Sequence, residues 1–311
     1  MQLTKKINIS SAVLYLIISL FALLACQKDG KKINLSTPVI DAEYAFSLLK
    51  KGAAIKPRHS GTIGARKTVE FITDTLKTLE VNYHTDIWNE NTPEGKINFT
   101  NIIAEIPGKD NSRFIIIGCH YDGKKLMSVP NFEGANDGAS GVAALLAMIK
   151  AIEGAKQTPP LALKFLFFDG EECIINYTQH DGLYGSRHYA DQLEKNNELT
   201  KCAAVLILDM IGDKDLNITL PSGSDKNLTL KILQIAKLKN YSSYFSKDKN
   251  DVLDDHSPFQ RKGIPAIDII DFHYGRGNRF WHTEADTVDK TSPESLKITS
   301  DTVISLIWNI D

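Results

Sequence analysis

The chain has 311 residues, of which 42% are hydrophobic and 24% are charged, and its formal net charge is −2. This composition is that of an ordinary globular protein, long enough for one large core or two modest ones. No long basic block follows the N-terminus, so the charge distribution argues against nucleic-acid binding.

The N-terminus has the pattern of an export signal. Lys5 and Lys6 precede an apolar stretch over residues 12–25. A basic flank and a short apolar core indicate a secretory signal peptide rather than a membrane-spanning helix. The segment "LLAC", which ends at Cys26, resembles the lipobox of bacterial lipoproteins. The resemblance implies a signal peptide at 1–25, a lipid anchor on Cys26, a tether at 26–37, and an exported lipoprotein attached to a membrane and facing the periplasm or cell surface.

The other three cysteines are Cys119, Cys173 and Cys202. An odd number cannot all pair within one chain, and their apolar surroundings indicate small buried side chains rather than a disulfide framework. No paired CxxC spacing occurs, which argues against a cysteine-based zinc site.

After the tether, apolar periodicity predicts helices and strands that alternate along the chain. In order, the pattern predicts helices at 42–52 and 64–80, strands at 99–108 and 113–123, a helix at 138–154, strands at 161–170 and 201–212, a helix at 228–240, a strand at 263–271 and a last helix at 292–310. This alternation predicts that residues 38–311 form a single α/β domain. Its central sheet is expected to be doubly wound and mostly parallel, with helices on both faces.

Polar side chains follow the predicted buried strands. They are His120 and Asp122 after the second strand, Glu171 and Glu172 after the third, and Asp209 after the fourth, with Asp137 in a turn before a helix and His282 near the C-terminal end. The carboxyl ends of parallel strands meet at one edge of a sheet, where ligands bind. Imidazole and carboxylate groups are suitable zinc ligands, and three of them with an open position make a catalytic site. The sequence therefore predicts a metal site at this edge.

Seven motifs occur in an order that resembles the zinc-dependent aminopeptidase and glutaminyl cyclase superfamily. They are "GCHYDG", "GANDGASG", "FFDGEE", "LYGSRHYA", "LDMIG", "DDHSPFQRKGIPAIDII" and "WHTEADT", and they cover nearly the whole mature chain. Within that superfamily, "DGLYGSRHYA", the first aspartate of "DDH", and "FWHT" are more similar to glutaminyl-peptide cyclotransferases than to typical aminopeptidases. The resemblance implies an enzyme that converts an N-terminal glutamine into pyroglutamate with release of ammonia, acting on peptides or proteins.

The same resemblance implies a role for each matching residue. Asp137, Glu172 and His282 match the zinc ligands, Glu171 matches the catalytic acid and base, Asp209 and Asp254 match a hydrogen-bonded acidic pair behind it, and Trp281 matches the aromatic wall of the substrate pocket. Tyr177, expected to contact substrate, stands where many animal cyclases have tryptophan. Val142 stands where those enzymes have a cysteine that pairs with the equivalent of Cys119.

An alternative function stays open from the sequence. His120, Asp137, Glu172, Asp209 and His282 together match the five ligands of two-zinc aminopeptidases, which release N-terminal residues from peptides. One zinc is expected for a cyclase and two for an aminopeptidase. A non-catalytic lipoprotein with a vestigial zinc is a third hypothesis, and the presence of Glu171, which binds no metal on either catalytic reading, argues against it.

Overall fold

The computed structural model describes residues 33–178 and 180–310. The predicted signal peptide and Cys26 lie outside the described residues. Within them, no helix has the length and apolar character needed to cross a membrane. Residues Asn34–Asp311 form one compact unit. Asn34 and Thr37, at the end of the predicted tether, already belong to this unit. They form hydrogen bonds with Asn309 and Ser305, respectively.

Seven helices and eight strands are found in the described part of the chain. The helices are α1 (Ala42–Ala53), α2 (Ile63–Thr78), α3 (Ala139–Glu153), α4 (Tyr184–Lys195), α5 (Lys226–Leu238), α6 (His256–Arg261) and α7 (Pro293–Ile307). The strands are β1 (Asn82–Thr92), β2 (Gly95–Ile106), β3 (Asp110–His120), β4 (Leu161–Phe168), β5 (Cys202–Asp209), β6 (Ile218–Leu220), β7 (Phe245–Lys247) and β8 (Ala266–Ile270). Short 3₁₀ turns lie at Leu199–Lys201, Ser242–Tyr244 and Val288–Lys290.

Six strands form the central sheet in the order β1-β2-β4-β3-β5-β8, and β6 pairs with β7 in a small separate sheet. Strands β4, β3, β5 and β8 are mutually parallel, whereas β2 is antiparallel to both of its neighbours. The prediction of a mostly parallel α/β sheet in a single domain is therefore confirmed.

Helices cover both faces of this sheet, as predicted. Alternate residues of the central strands, such as Phe114, Leu166 and Val205, pack in one cluster with residues of α4 and α6. The intervening residues, such as Ile115 and Leu206, are equally buried, so the opposite face is covered as well. Helix α3 is apolar on nearly all sides and packs there against the strands.

The edge strand β1 has no counterpart among the predicted elements. Its sequence "NYHTDIWNENT" is mostly polar, and its residues alternate between exposed and half-buried positions. A strand at the edge of a sheet has one neighbour and one wet side, so its apolar signal is weak. The short strands β6 and β7, and helices α4 and α6, were also absent from the predicted list.

The register of the parallel strands brings their carboxyl ends to one edge. His120 at the end of β3 pairs with Phe168 at the end of β4, and Asp209 at the end of β5 pairs with Ile270 at the end of β8. The first turn of α3 comes very close to this edge, because a Cβ atom at Gly141 would lie 2.8 Å from the carbonyl oxygen of Leu208. The loops that leave the carboxyl ends of β3, β4, β5 and β8 therefore start close to one another and to the first turn of α3.

Candidate active site

Five side chains predicted as possible metal ligands converge at this edge of the sheet. His120 ends β3, Asp209 ends β5, Asp137 lies just before α3, Glu172 follows β4, and His282 lies in the loop between β8 and α7. They fall into two groups of potential metal-binding atoms that share Asp137.

The shared carboxylate of Asp137 lies between the two imidazoles. The Nε2 atom of His282 is 3.2 Å from Asp137 Oδ2 and 2.9 Å from Glu172 Oε1. On the other side, His120 Nε2 is 3.3 Å from Asp137 Oδ1 and 3.2 Å from Asp209 Oδ1. Burial alone would lower the pKa of His282, but Glu172 and Asp137 raise that pKa to about 10. The geometry and charge of both groups are those of a site for a cation.

The donor atoms fit a zinc ion in the first group. Asp137, Glu172 and His282 each offer one ligand atom, and the three atoms lie within 4.8 Å of one another. Asp137 Oδ2 is buried, and although His282 Nε2 lies 3.2 Å away, no hydrogen bond of good geometry reaches this oxygen among the described residues. A buried carboxylate oxygen that lacks a well-formed hydrogen bond and lies beside an imidazole nitrogen and a second carboxylate is typical of a zinc-binding side chain.

Asp122 fixes the backbone of the acidic pair. Its two carboxylate oxygens accept hydrogen bonds from the backbone N–H groups of Glu171, at 3.1 Å, and Glu172, at 3.2 Å. Its backbone oxygen lies 3.2 Å from His120 Nδ1. One buried aspartate therefore orients three members of the site. The sequence placed Asp122 at a strand end but gave it no role.

Asp286 fixes the loop that carries Asp137. Its carboxylate accepts hydrogen bonds from the backbone N–H groups of Asn136, at 2.8 Å, and Asp137, at 3.1 Å. The hydroxyl of Tyr274 donates a third, at 2.8 Å. Burial, and then the charge of Asp137, raises the pKa of Asp286 to about 7. Asp286 lies inside the "WHTEADT" motif, so the motif contained this residue without showing what it does.

Arg58 holds the same loop from its other side. This buried guanidinium donates to the backbone oxygens of Tyr121, at 3.2 Å, and Asp137, at 3.0 Å, and also to Glu133 and Gly134. Arg58 lies in a loop remote in sequence from every site motif, and no sequence signal marked it.

Glu171 is buried beside the group of Asp137, Glu172 and His282, and it lines a cavity. Burial, and then the neighbouring charge of Glu172, raises its pKa well above the ordinary value for a glutamate. The hydroxyl of Tyr177 lies 2.9 Å from Glu171 Oε2 and 2.9 Å from Glu172 Oε2. A carboxyl group with a raised pKa at the edge of a cavity can both accept a proton and return it.

Lys124 supplies a positive charge to the second oxygen of Glu172. Its ammonium lies 3.1 Å from Glu172 Oε2 and 2.9 Å from Cys173 Sγ. It also lies over the ring of Tyr177, at 4.9 Å from the ring centroid. Lys124 follows directly after the "GCHYDG" motif and was not singled out from the sequence.

A cavity of about 280 Å³ opens in front of these residues. Its acidic wall is formed by Asp137, Glu171, Glu172, Asp209 and Asp254, and its aromatic wall by Tyr177, Phe272 and Trp281 together with His282. Trp281 stacks on the His282 ring at a centroid distance of 4.1 Å and meets Phe272 edge-on at 5.1 Å. The cavity can therefore hold a small polar group against the acids and an apolar stem against the aromatic rings.

Asp209 and Asp254, expected as a hydrogen-bonded pair, both reach the cavity wall. The Oδ1 atom of Asp209 lies 3.2 Å from His120 Nε2. Burial, and then the charge of Asp209, raises the pKa of Asp254 to about 7. Asp254 belongs to a second buried group, with His256 and Asp268. Asp268 lies in the middle of β8, and its sequence context "AIDII" predicts only a core strand.

The chain is similar to proteins of known family. Peptidase family M28 matches residues 101–307. Among curated relatives, a glutaminyl-peptide cyclotransferase of Drosophila melanogaster is 27% identical, over 78% of this chain and 75% of its own length. A glutaminyl-peptide cyclotransferase-like protein of Mus musculus is 28% identical, over 77% of this chain and 68% of its own length.

Solved structures include close matches in fold. The glutaminyl cyclase of an Acidobacteriales bacterium superimposes with a TM-score of 0.82 and is 35% identical, covering 88% of this chain and 96% of its own. The glutaminyl cyclase of Porphyromonas gingivalis superimposes with a TM-score of 0.77 at 25% identity, covering 86% of this chain and 98% of its own.

Proposed function

The chain belongs to peptidase family M28, and from its similarity to glutaminyl cyclases we propose that it is a zinc-dependent glutaminyl-peptide cyclotransferase. Its substrates are peptides or proteins with an N-terminal glutamine, and its products are the pyroglutamyl chain and ammonia. The observation that carries the proposal is the position of Glu171, a buried carboxyl group at the cavity beside the Asp137, Glu172 and His282 group.

Glu171 is the proton carrier in this reaction. The α-amino nitrogen of the substrate attacks the side-chain amide carbon, the bond from that carbon to the amide nitrogen breaks, and ammonia leaves. Glu171 accepts the proton that the attacking amine loses and gives it to the departing nitrogen. Its raised pKa suits both steps, because the carboxyl group must be ionised to accept and protonated to donate.

The other groups at the cavity orient the substrate. Zinc held by Asp137, Glu172 and His282 supplies Lewis acidity toward the γ-carbonyl group of glutamine. Trp281 and Phe272 present an apolar wall for the methylene groups of the glutamine side chain. Attack is intramolecular, so holding the amine and the amide in one folded geometry supplies a large part of the rate enhancement.

We infer one zinc ion per chain, held by the group that contains His282. His282 lines the cavity, whereas His120 is buried beneath it and is only 2% exposed. A substrate carbonyl group therefore has access to a metal on the His282 side. Asp209 then stays on the cavity wall near Asp254, where it adds to the acidic surroundings of the substrate amine.

A two-zinc aminopeptidase is the second candidate, because His120, Asp137 and Asp209 also form a group that could hold a metal. One assay separates the two functions. Purified enzyme incubated with a glutaminyl peptide should release ammonia and leave a pyroglutamyl product, and it should release little leucine from a leucyl peptide. Rapid leucine release without ammonia from the glutaminyl peptide would make the aminopeptidase the correct function.

We propose that the enzyme is exported and anchored through a lipid on Cys26, so that it faces the periplasm or the cell surface. The proposal rests on the "LLAC" segment and on the apolar stretch that precedes it. Mass spectrometry of the mature N-terminus tests it. The expected product begins at an acylated Cys26, and replacement of Cys26 by serine should release the protein from membranes. An unmodified chain that begins elsewhere would contradict the anchor.

A further inference from the structure

Behind the wall of the cavity lies a second acidic group, here called the rear cluster: Asp254, Asp255, His256 and Asp268. Asp255 and Asp268 are 0% exposed, His256 is 1% exposed and Asp254 is 3% exposed. Asp254 also lines the cavity, so the cluster extends from the cavity wall into the core.

The rear cluster has an unusual number of side-chain atoms without partners. Among the described residues, the atoms that are buried and without a hydrogen bond include Asp254 Oδ2, both carboxylate oxygens of Asp255, His256 Nδ1 and both carboxylate oxygens of Asp268. Buried polar atoms are almost always paired in native proteins, and six orphaned atoms in one place need an explanation. They are explained either by protons on the carboxyl groups or by a bound cation.

Among the described residues, no lysine or arginine side chain pairs directly with Asp254 or Asp268. The nearest candidate is His256, whose Nδ1 atom lies 3.9 Å from Asp268 Oδ2, too far for a hydrogen bond. Burial lowers the pKa of His256 to about 4, so its imidazole is neutral at neutral pH. Two adjacent buried carboxylates without a cation cannot both stay ionised without a large free-energy cost.

We propose that Asp268 is a positioning residue that holds a proton at neutral pH and donates it in a hydrogen bond to Asp254. The pair then carries one negative charge, located on the residue that reaches the cavity. Ligand atoms of Asp254, His256 and Asp268 lie within 4.8 Å of one another, and a proton on either carboxyl group allows a hydrogen bond between Asp254 and Asp268. The hydrogen bond fixes the Asp254 carboxylate on the wall beside Glu171; that part of the inference rests on the proposed function.

The groups that face the pair favour this arrangement. Burial, and then the charge of Asp254, raises the pKa of Asp268 well above its ordinary value. Asp209 on β5 and Asp255 at the start of α6 add negative charge and act in the same direction. His120 on β3 is the exception, and its charge favours the ionised form of Asp254. The negative charge therefore stays on Asp254 and the proton on Asp268.

The variant Asp268→Asn tests the proposal, because an asparagine side chain has the shape of a protonated aspartic acid and keeps a donor. We expect D268N to retain kcat/KM within about threefold, and D254N, which removes the charge, to lower kcat by about 30-fold or more with little change in KM. A loss of kcat/KM in D268N as large as that in D254N would overturn the proposal.

Thermal unfolding at several pH values provides a second measurement that does not depend on activity. A carboxyl group whose pKa is raised in the folded state contributes stability at low pH, and that contribution is lost as pH rises toward the folded pKa. The wild type should therefore lose more Tm than D268N between about pH 5 and pH 8. Equal pH slopes for the two proteins would show that Asp268 does not hold the proton.

A matched control is Asp301→Asn. Asp301 is also a buried aspartate, but both of its carboxylate oxygens have donors, the backbone N–H of Ile40 at 2.9 Å and the ammonium of Lys297 at 2.6 Å. D301N should lower Tm at neutral pH, whereas D268N should maintain or raise it. Elemental analysis completes the test: if D268N loses one metal equivalent per chain, the rear cluster binds a cation and the proposal is wrong. If the wild type fails to release ammonia but the Tm results are as expected, only the proposed function falls.

Discussion

Two acidic groups made from the same residue types lie side by side in this protein, and their negative charge is neutralised in different ways. The front group consists of His120, Asp137, Glu172, Asp209 and His282. Each of its three carboxylates has an imidazole Nε2 atom at 2.9 to 3.3 Å. In the rear cluster, Asp254, Asp255 and Asp268 have no imidazole within hydrogen-bonding distance. The number of aspartates alone therefore does not identify a metal site. The distinguishing feature is an imidazole Nε2 atom that lies close to the carboxylate oxygens.

The two groups are linked through the cavity. Glu171 lines the same cavity as members of both groups. Burial and the charge of Glu172 raise its pKa, and the charges of Asp254 and Asp255 raise it further. The front group would hold the metal that polarises the substrate, while the rear cluster keeps the surroundings of Glu171 acidic.

The largest effect is expected from Glu171→Gln, which removes the proton carrier and leaves both acidic groups intact. Turnover should fall by about 100-fold or more, while bound zinc is retained. Steady-state ammonia release and elemental analysis of the same sample measure both. Glu70→Gln, on the exposed side of α2, is the matched control and should behave as the wild type. Normal turnover in E171Q would remove Glu171 from the mechanism.

Glu172→Gln tests the front group. Replacing a ligand carboxylate by an amide should weaken zinc binding by about 10-fold to 100-fold, and activity should return at high zinc concentration. Competition with a chelator measures the change in affinity. The contrast with E171Q decides the division of roles, because adjacent glutamates with different functions must give different lesions. Unchanged zinc affinity in E172Q would contradict the ligand assignment.

Asp286→Asn tests an acid that, unlike Asp268, has its full set of donors. Asparagine has one acceptor oxygen in place of two, so one of the backbone N–H groups of Asn136 and Asp137 would be left unpaired. We expect the free energy of unfolding to fall by about 1 to 3 kcal/mol. Denaturant titration at neutral pH measures it, with D268N as the comparison. Equal stability of the two variants would mean that the difference in donors has no energetic consequence.

The smallest effect is expected from Tyr177→Phe. The tyrosine hydroxyl bonds to Glu171 and Glu172, and its loss leaves the ring in place. We expect kcat to fall by about 3-fold to 10-fold, in line with the net contribution of one ordinary hydrogen bond. Kinetics with a glutaminyl peptide measure it, and KM should change little because the aromatic wall is retained. A large rise in KM would instead assign Tyr177 mainly to substrate binding.

The sequence predicted the front group because His120, Glu172 and Asp209 lie at or just after strand ends, and the motif resemblance added Asp137 and His282. A buried strand that ends in charged residues is visible in one dimension, and parallel strands place such ends together. The seven ordered motifs then gave the family. The β1 edge strand was missed because a polar strand has little periodic apolar signal, and α4 was missed because its "LYGSRHYA" segment was treated only as a motif.

The supporting residues could not be found in this way. Asp268 occupies a position in a strand that otherwise reads as core, and only the packing of β8 beside Asp254 shows it as part of a cluster. Arg58 acts through backbone oxygens of distant loops, so no spacing connects it to the site. Residues whose roles depend on three-dimensional contacts rather than local pattern need the structure.

Anomalous diffraction at the zinc absorption edge, from crystals of the purified protein, locates every ordered zinc ion. One strong peak per chain is expected, among Asp137, Glu172 and His282, with no peak between His120 and Asp209 and none in the rear cluster. A second peak of comparable height between His120 and Asp209 would contradict the single-zinc cyclotransferase, and a peak between Asp254 and Asp268 would contradict the proton proposed on Asp268.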